Sequence, residues 1–126
     1  MFIYIEDLIF YMEGLSNEQL FFDCSIGEVL TNSLLNNKDS SQCVPIPVFN
    51  DTDIIVMYLQ QLNDKKLQYL LKKVKQRDFL SIFHVAINDA GLYGDYVIFS
   101  KNQKIQIAQN WCDINNIKCT TKRKQG

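Results

Sequence analysis

The apolar positions fall into two regimes, alternating or short runs before about residue 50 and helical spacings after it. "FIYI" and "LIFYM" are short, aromatic and β-branched, and predict strands. After the turn "GLSNEQ", the run "LFFDCSI" places Leu20, Phe22, Cys24 and Ile26 on one face. That predicts the second arm of a hairpin with one buried side. "GEVLTNSLLNN" then spaces Val29, Leu30, Ser33 and Leu34 along one side of a short helix, which dissolves into the polar loop "NNKDSSQ".

The next run, "CVPIPVF", holds both prolines of the chain. Proline cannot donate to a sheet ladder and sits at edges, strand starts or bulges. The run therefore predicts a short edge strand with Val44, Ile46 and Val48 facing one way, followed at once by the helix-start signal "NDTD". In "DTDIIVMYLQQLND", Ile54, Ile55, Tyr58, Leu59 and Leu62 make a helical stripe, with Asn50 or Asp51 as cap. "KKLQYLLKKVKQ" is amphipathic, its lysines on a solvated face. In "DFLSIFHVAINDAGL", Asp78 is placed to cap, Phe79, Phe83, Ala86 and Ala90 repeat along one side, and Gly91 is placed to stop the helix. "GDYVIF" fits a strand or a first helical turn equally. "NQKIQIAQNWCDIN" predicts a last helix with Ile107, Trp111 and Ile114 on one line, and "KCTTKRKQG" a frayed tail. Strands first and helices after, with one extended element between two helices, is an α+β pattern and not a doubly wound sheet.

Composition narrows the class. At 126 residues, with 47% hydrophobic and 21% charged, the chain is expected to form one ordinary globular domain over residues 1–117, with 118–126 a flexible basic tail. No apolar stretch approaches the roughly 18–20 residues of a membrane span, so no membrane partner is expected. Glu6 and Asp7 stand where a signal peptide would carry basic residues, so secretion is not expected. The four cysteines (Cys24, Cys43, Cys112, Cys119) form no close pair, and the only histidine, His84, is distant from all of them in sequence. Metal-ligand spacing is missing, and buried free thiols point to a reducing compartment, cytoplasm or nucleus.

Charge adds an asymmetry. Residues 1–60 hold nine acids against one base, Lys38, while residues 61–126 hold twelve bases against five acids. Folding of one half onto the other is the plainer consequence, contact with an acidic partner the alternative. Lys72, Lys73, Lys75 and Arg77, with Lys122 to Lys124, give only a weak nucleic-acid signal, and a pI near 5.7 argues against such a partner.

Catalytic chemistry finds no footing. The five glycines are scattered and none precedes a Lys-Ser/Thr pair, so no phosphate loop exists. A cysteine nucleophile needs a basic partner, and His84 lies mid-helix between Phe83 and Val85, where a structural histidine is the simpler reading. The carboxylate pairs Asp51/Asp53 and Glu6/Asp7 are better explained by capping and surface. Neither an enzyme nor a cofactor is expected.

With the elements placed, "VPIPVFNDTDIIVMYLQQL" resembles a segment of the Skp-type adaptors of SCF ubiquitin ligases and their relatives, elongin C and the BTB/POZ domains. In that family an Ile/Val-Pro-Leu-Pro strand runs into a helix whose stripe packs under the sheet. Val44, Pro45, Ile46 and Pro47 match the run; Val48 and Phe49 depart from the usual Asn-Val. "LIFYMEGLSNEQLFFDCSIGEVLTNSLLNN" is similar to the family's opening hairpin and helix. Ala86, Ile87 and Asn88 with Gly94 are similar to its Ala-Ala-Asn helix and following glycine, with Ser100 where a cysteine is common. "QNWCD" is similar to the Trp-Cys ending of Skp-type adaptors. The family's long acidic loop is missing or replaced by "LNDKKLQYLLKK", and the C-terminal region is too short for the full set of helices that grip an F-box.

The resemblance implies a BTB/POZ-like α+β fold, a small three-stranded sheet packed against a cluster of about five helices. It implies an adaptor with one face for a cullin-like scaffold and another for an F-box-like receptor, the receptor face formed by Tyr93, Tyr96, Ile105, Ile107 and Trp111. Trp111 suits a core anchor as well as an interface, and the tyrosines suit a half-buried boundary as well as a contact. The alternative is a BTB-like homodimerisation module built on the "MFIYI" strand and first helix. Frequent Asn, Ile and Lys point to an AT-rich genome, a parasite's or a large DNA virus's, in which an adaptor could redirect or block a host ubiquitin ligase.

Overall fold

The computed structural model describes residues 2–35 and 42–121. They form a mixed α+β structure with a small antiparallel sheet of three strands and several helices. The chain comprises two compact units. One runs to Phe49 and resumes at Lys104; the other is Asn50–Gln103.

The first unit opens with β1 (Phe2–Tyr4) and α1 (Ile5–Met12). The run "LIFYM" is thus helical, not a strand. In a strand Leu8, Phe10 and Met12 would share a face. Here Leu8 and Met12, four apart, are buried while Phe10 is exposed. Glu6 and Asp7 occupy the first turn of α1, where the helix dipole favours negative charge. The hairpin lies one step later than the pattern suggests. β2 (Leu20–Asp23) pairs antiparallel with β3 (Glu28–Thr31), Leu20 opposite Thr31 and Asp23 opposite Glu28.

Asp23 accounts for that shift. Its buried carboxylate accepts from the Ser25 N–H at 2.9 Å and from the Ser25 hydroxyl, a local side-chain turn that ends the strand. Gly27, at φ 71°, then reverses the chain. The expected helix over "GEVLTNSLLNN" shrinks to α2 (Asn32–Leu35). The loop "NNKDSSQ" lies outside the described residues except for its last residue, Gln42.

The proline run forms β4 (Cys43–Ile46), antiparallel to β2 at the margin of a sheet ordered β3-β2-β4. Ile46 is buried and Val44 half-buried. Val48, expected on their face, lies beyond the strand and is exposed. Phe49 N–H donates to the Met12 carbonyl at 2.8 Å, tying the end of this segment to α1. The expected tail begins instead with β5 (Lys118–Thr120), which pairs in parallel with β1, Phe2 opposite Lys118. Residues 122–126 lie outside the description. The core of this unit gathers Leu8, Met12, Phe22, Ile46, Trp111 and Cys112.

In the second unit, the Asn50 side chain accepts from the Asp53 N–H at 3.1 Å and caps α3 (Asp51–Leu62). The stripe Ile54, Ile55, Tyr58 and Leu59 is buried and Leu62 half-buried. The basic amphipathic segment forms a 3-10 helix, Gln68–Lys73, that buries Leu70. α4 (Phe79–Asp89) buries Phe79, Phe83 and Ile87, an i, i+4, i+8 line. Ala86 is half-buried and Ala90 exposed, because the large side chains of Phe83 and Ile87 set the phase. Asp78 makes no capping bond. Gly91, at φ 72°, closes the helix, with its N–H on Asn88 O and the Leu92 N–H on Ile87 O. α5 (Tyr93–Ile114) starts directly, so "GDYVIF" is helical; its residues through Gln103 belong to this unit and the rest to the first.

Candidate functional site

The five residues expected on a receptor face all lie on α5, but they fall in different environments. Tyr93, in the first turn, is 49% exposed. Tyr96, three residues on, is 8% exposed and packs edge-to-face with Tyr58 and Phe83, ring centroids 5.2 and 4.9 Å apart. Burial, with Asp51 and Tyr93 nearby, pushes its phenol above the ordinary value. Ile105 and Ile107 are half-buried, Ile107 against the core of the first unit.

Trp111 is 9% exposed, edge-to-face with Phe22 at 6.5 Å, and its indole N–H donates to the Pro45 carbonyl at 3.1 Å. Tyr96 and Trp111 are therefore core residues of two different units. Ile114, expected in line with Trp111, is 79% exposed. Of the five, only Tyr93 offers a largely free side chain.

Exposed apolar residues that spacing alone did not single out surround the question. Val97 and Ile98 stand exposed on the turn of α5 after Tyr93. On α4, Val85 is exposed and, with Tyr69 and Ile82, lines a shallow groove of about 390 Å³ edged by Ser81 and Asp89. The signal was available in part. Val85 and Ile98 interrupt otherwise polar helix faces, but the phase of each helix decides exposure.

In the first unit a deeper cleft of about 520 Å³ is lined by residues 2–4 of β1 and residues 26–29, which close the β2–β3 turn and begin β3. Tyr11, Phe22 and Asp7 complete its lining. β1 pairs only with β5 and β3 only with β2, so both are edge strands among the described residues.

The titratable groups give little chemistry. Burial pushes the Cys112 thiol up to about 12, helped by its contact with Cys119, whose own thiol is also raised. Both are poor nucleophiles at neutral pH. His84 is exposed on α4, its ring 6.3 Å from that of Tyr93. Tyr58, fully buried, donates to the Asp95 carboxylate at 2.8 Å. Among the described residues no cluster of three or more His, Cys, Asp or Glu could hold a metal ion, and no helix is long and apolar enough to cross a membrane. Comparison with protein-family models, curated proteins and solved structures finds no match to the chain.

Proposed function

We propose that this protein is a non-enzymatic interaction adaptor of the Skp/BTB type, joining a cullin-like scaffold to an F-box-like substrate receptor. The observation that carries the reading is the proline run. Cys43–Ile46 forms the marginal strand of a three-stranded sheet, and the chain passes from it into a helix capped by Asn50 with a buried Ile54, Ile55, Tyr58, Leu59 stripe. The succession of a marginal proline strand and a capped helix with a buried stripe supports the adaptor reading. Because Tyr96 and Trp111 serve cores, the receptor face of this reading is redrawn on the start of α5, with Tyr93, Val97 and Ile98 as its exposed apolar contacts.

The test is light scattering coupled to size-exclusion chromatography, on the chain alone and with a cullin N-terminal domain and an F-box peptide. A monomer near the 14.7 kDa chain mass that shifts with both partners, and loses the F-box shift in Ile98→Glu, supports the adaptor. A stable homodimer indifferent to both overturns it. That outcome promotes a self-association module, a reading favoured by one observation: among the described residues β1 pairs only with β5, and its Phe2 is 50% exposed.

A further inference from the structure

The basic segment of the second unit keeps a period of three beyond the ends of its 3-10 helix. The Leu67 N–H donates to the Asp64 carbonyl, Leu70 to Leu67, Gln76 to Lys73 and Phe79 to Gln76, all at 2.9–3.1 Å. Residues three apart therefore line up, where in an α-helix they would drift around the axis. Leu67 and Leu70 take the inward line and are buried. Lys66, Tyr69, Lys72 and Lys75 take another, and all four are exposed. Among the described residues these three lysines make no ion pair.

Tyr69 joins this row to the shallow groove on α4. There Ile82, Val85, Ala86 and Asp89 stand at i, i+3, i+4 and i+7, along one face of the helix. Phe79, Phe83 and Ile87 already serve the core, so this is a second apolar strip, and its Val85 is 63% exposed. From Ile82 to Asp89 the strip runs about 10 Å, the length of two helical turns. Lys66 and Lys72 lie one three-residue step, about 6 Å, on either side of Tyr69. Unpaired cations beside an apolar floor complement an acidic partner with one apolar face. A nucleic acid is the poorer fit, since the floor is aliphatic and Asp89 adds a negative charge to it.

We propose that this surface docks a short amphipathic helix of a partner protein, its apolar residues in the groove and its acidic residues against Lys66 and Lys72. Packing on Tyr69, Ile82 and Val85 supplies the affinity. The lysines are solvated, so each ion pair adds little and acts on selection and association rate. The mode goes beyond the ligase reading, since it needs neither a cullin-like nor an F-box-like partner.

The test uses the immobilised full chain and two pools of peptides of about 15 residues, long enough to hold a helix. Both carry leucine at i, i+3, i+4 and i+7; one has glutamate beside the stripe and the other lysine. The glutamate pool is expected to be retained about tenfold better, and to lose about tenfold when its leucines are scattered around the helix. Amide shifts in the NMR spectrum should concentrate at residues 66–75 and 81–89. Lys66→Glu combined with Lys72→Glu should reverse the preference, and Val85→Glu should abolish retention of the glutamate pool. All three sites are exposed, and unchanged circular dichroism checks the fold of each variant. Equal retention of the two pools, indifference to leucine order, or shifts mapping elsewhere would each overturn the proposal. So would oligouridine that outcompetes the glutamate pool at the same residues, which would assign the row to single-stranded nucleic acid. Shifts there that appear without peptide and fade on dilution would overturn it in favour of a second copy of this chain. The F-box shift is read through Ile98 on α5, so failure of either reading leaves the other standing.

Discussion

The indole N–H of Trp111 donates to the carbonyl of Pro45 at 3.1 Å, across 66 residues of sequence. In an antiparallel ladder the N–H and C=O of one residue point the same way. A Pro45 carbonyl turned to Trp111 therefore marks a position whose missing N–H costs no bond to β2. The edge is occupied by a tryptophan where the prolines alone were expected to blunt it; the next carbonyl, that of Ile46, is turned to the β2 side and accepts from the Gln19 side-chain amide at 2.9 Å. Trp111→Ala should destabilise the protein by about 3–5 kcal/mol, and Trp111→Phe, which keeps a ring against Phe22 but leaves the Pro45 carbonyl without its donor, by about 1–2 kcal/mol. Urea unfolding followed by far-UV circular dichroism checks both. Equal losses would mean that the indole N–H, not ring burial, carries the contribution.

The two expected helix caps separate in the same assay. Asn50 accepts the Asp53 N–H, whereas the Asp78 side chain makes no capping bond. Asn50→Ala should cost about 1 kcal/mol, and Asp78→Ala should stay within about 0.5 kcal/mol. An Asp78→Ala loss as large as that of Asn50→Ala would show that Asp78 caps α4 in solution.

Those contrasts indicate what was legible. α3 and β4 were readable because their signals are local: a capping residue, a stripe with helical period, two prolines in an apolar run. α1 was misread because "LIFYM" has strand propensity, while the burial of Leu8 and Met12 around an exposed Phe10 is set by tertiary packing. β5 could not be read at all, since its partner β1 lies at the opposite end of the sequence. The candidate face suffered the same limit. Tyr93 and Tyr96 look alike in sequence, and only the aromatic group around Tyr58 and Phe83 draws one of them inward.

Two glycines offer a paired test of backbone conformation. Gly14 sits at φ 74°, and a Cβ there would lie 2.6 Å from the Val48 Cγ1. Gly94, the second residue of α5, has ordinary φ and open space around it. Gly14→Ala should destabilise by about 1–2 kcal/mol, the cost of a left-handed alanine, with Val48 forced to rotate. Gly94→Ala should be neutral or stabilise by up to about 1 kcal/mol, through helix propensity and a less flexible unfolded chain. Thermal melts of the two variants, opposite in sign, would bear this out; a destabilised Gly94→Ala would mean that something closes on that turn.

Alkaline pH should weaken the fold through groups that are buried in their protonated forms. The Cys112 thiol is pushed from 9.0 up to about 12, first by burial and then by Cys119. Tyr58 is raised above its ordinary 10.0, first by burial and then by its bond to Asp95. In both cases the unfolded chain releases its proton at lower pH than the folded one. Stability is therefore fully present below about pH 9 and declines as pH climbs from 9 towards 12, the Tyr58 contribution entering above pH 10. Urea midpoints at pH 8 and pH 10.5, with reductant present, should fall for the wild type. Cys112→Ala and Tyr58→Phe should each start lower at pH 8 and lose less on the way up, so that the gap to wild type narrows. Parallel decline of all three proteins would assign the alkaline loss to other groups and would mean that these two protons are released as readily folded as unfolded.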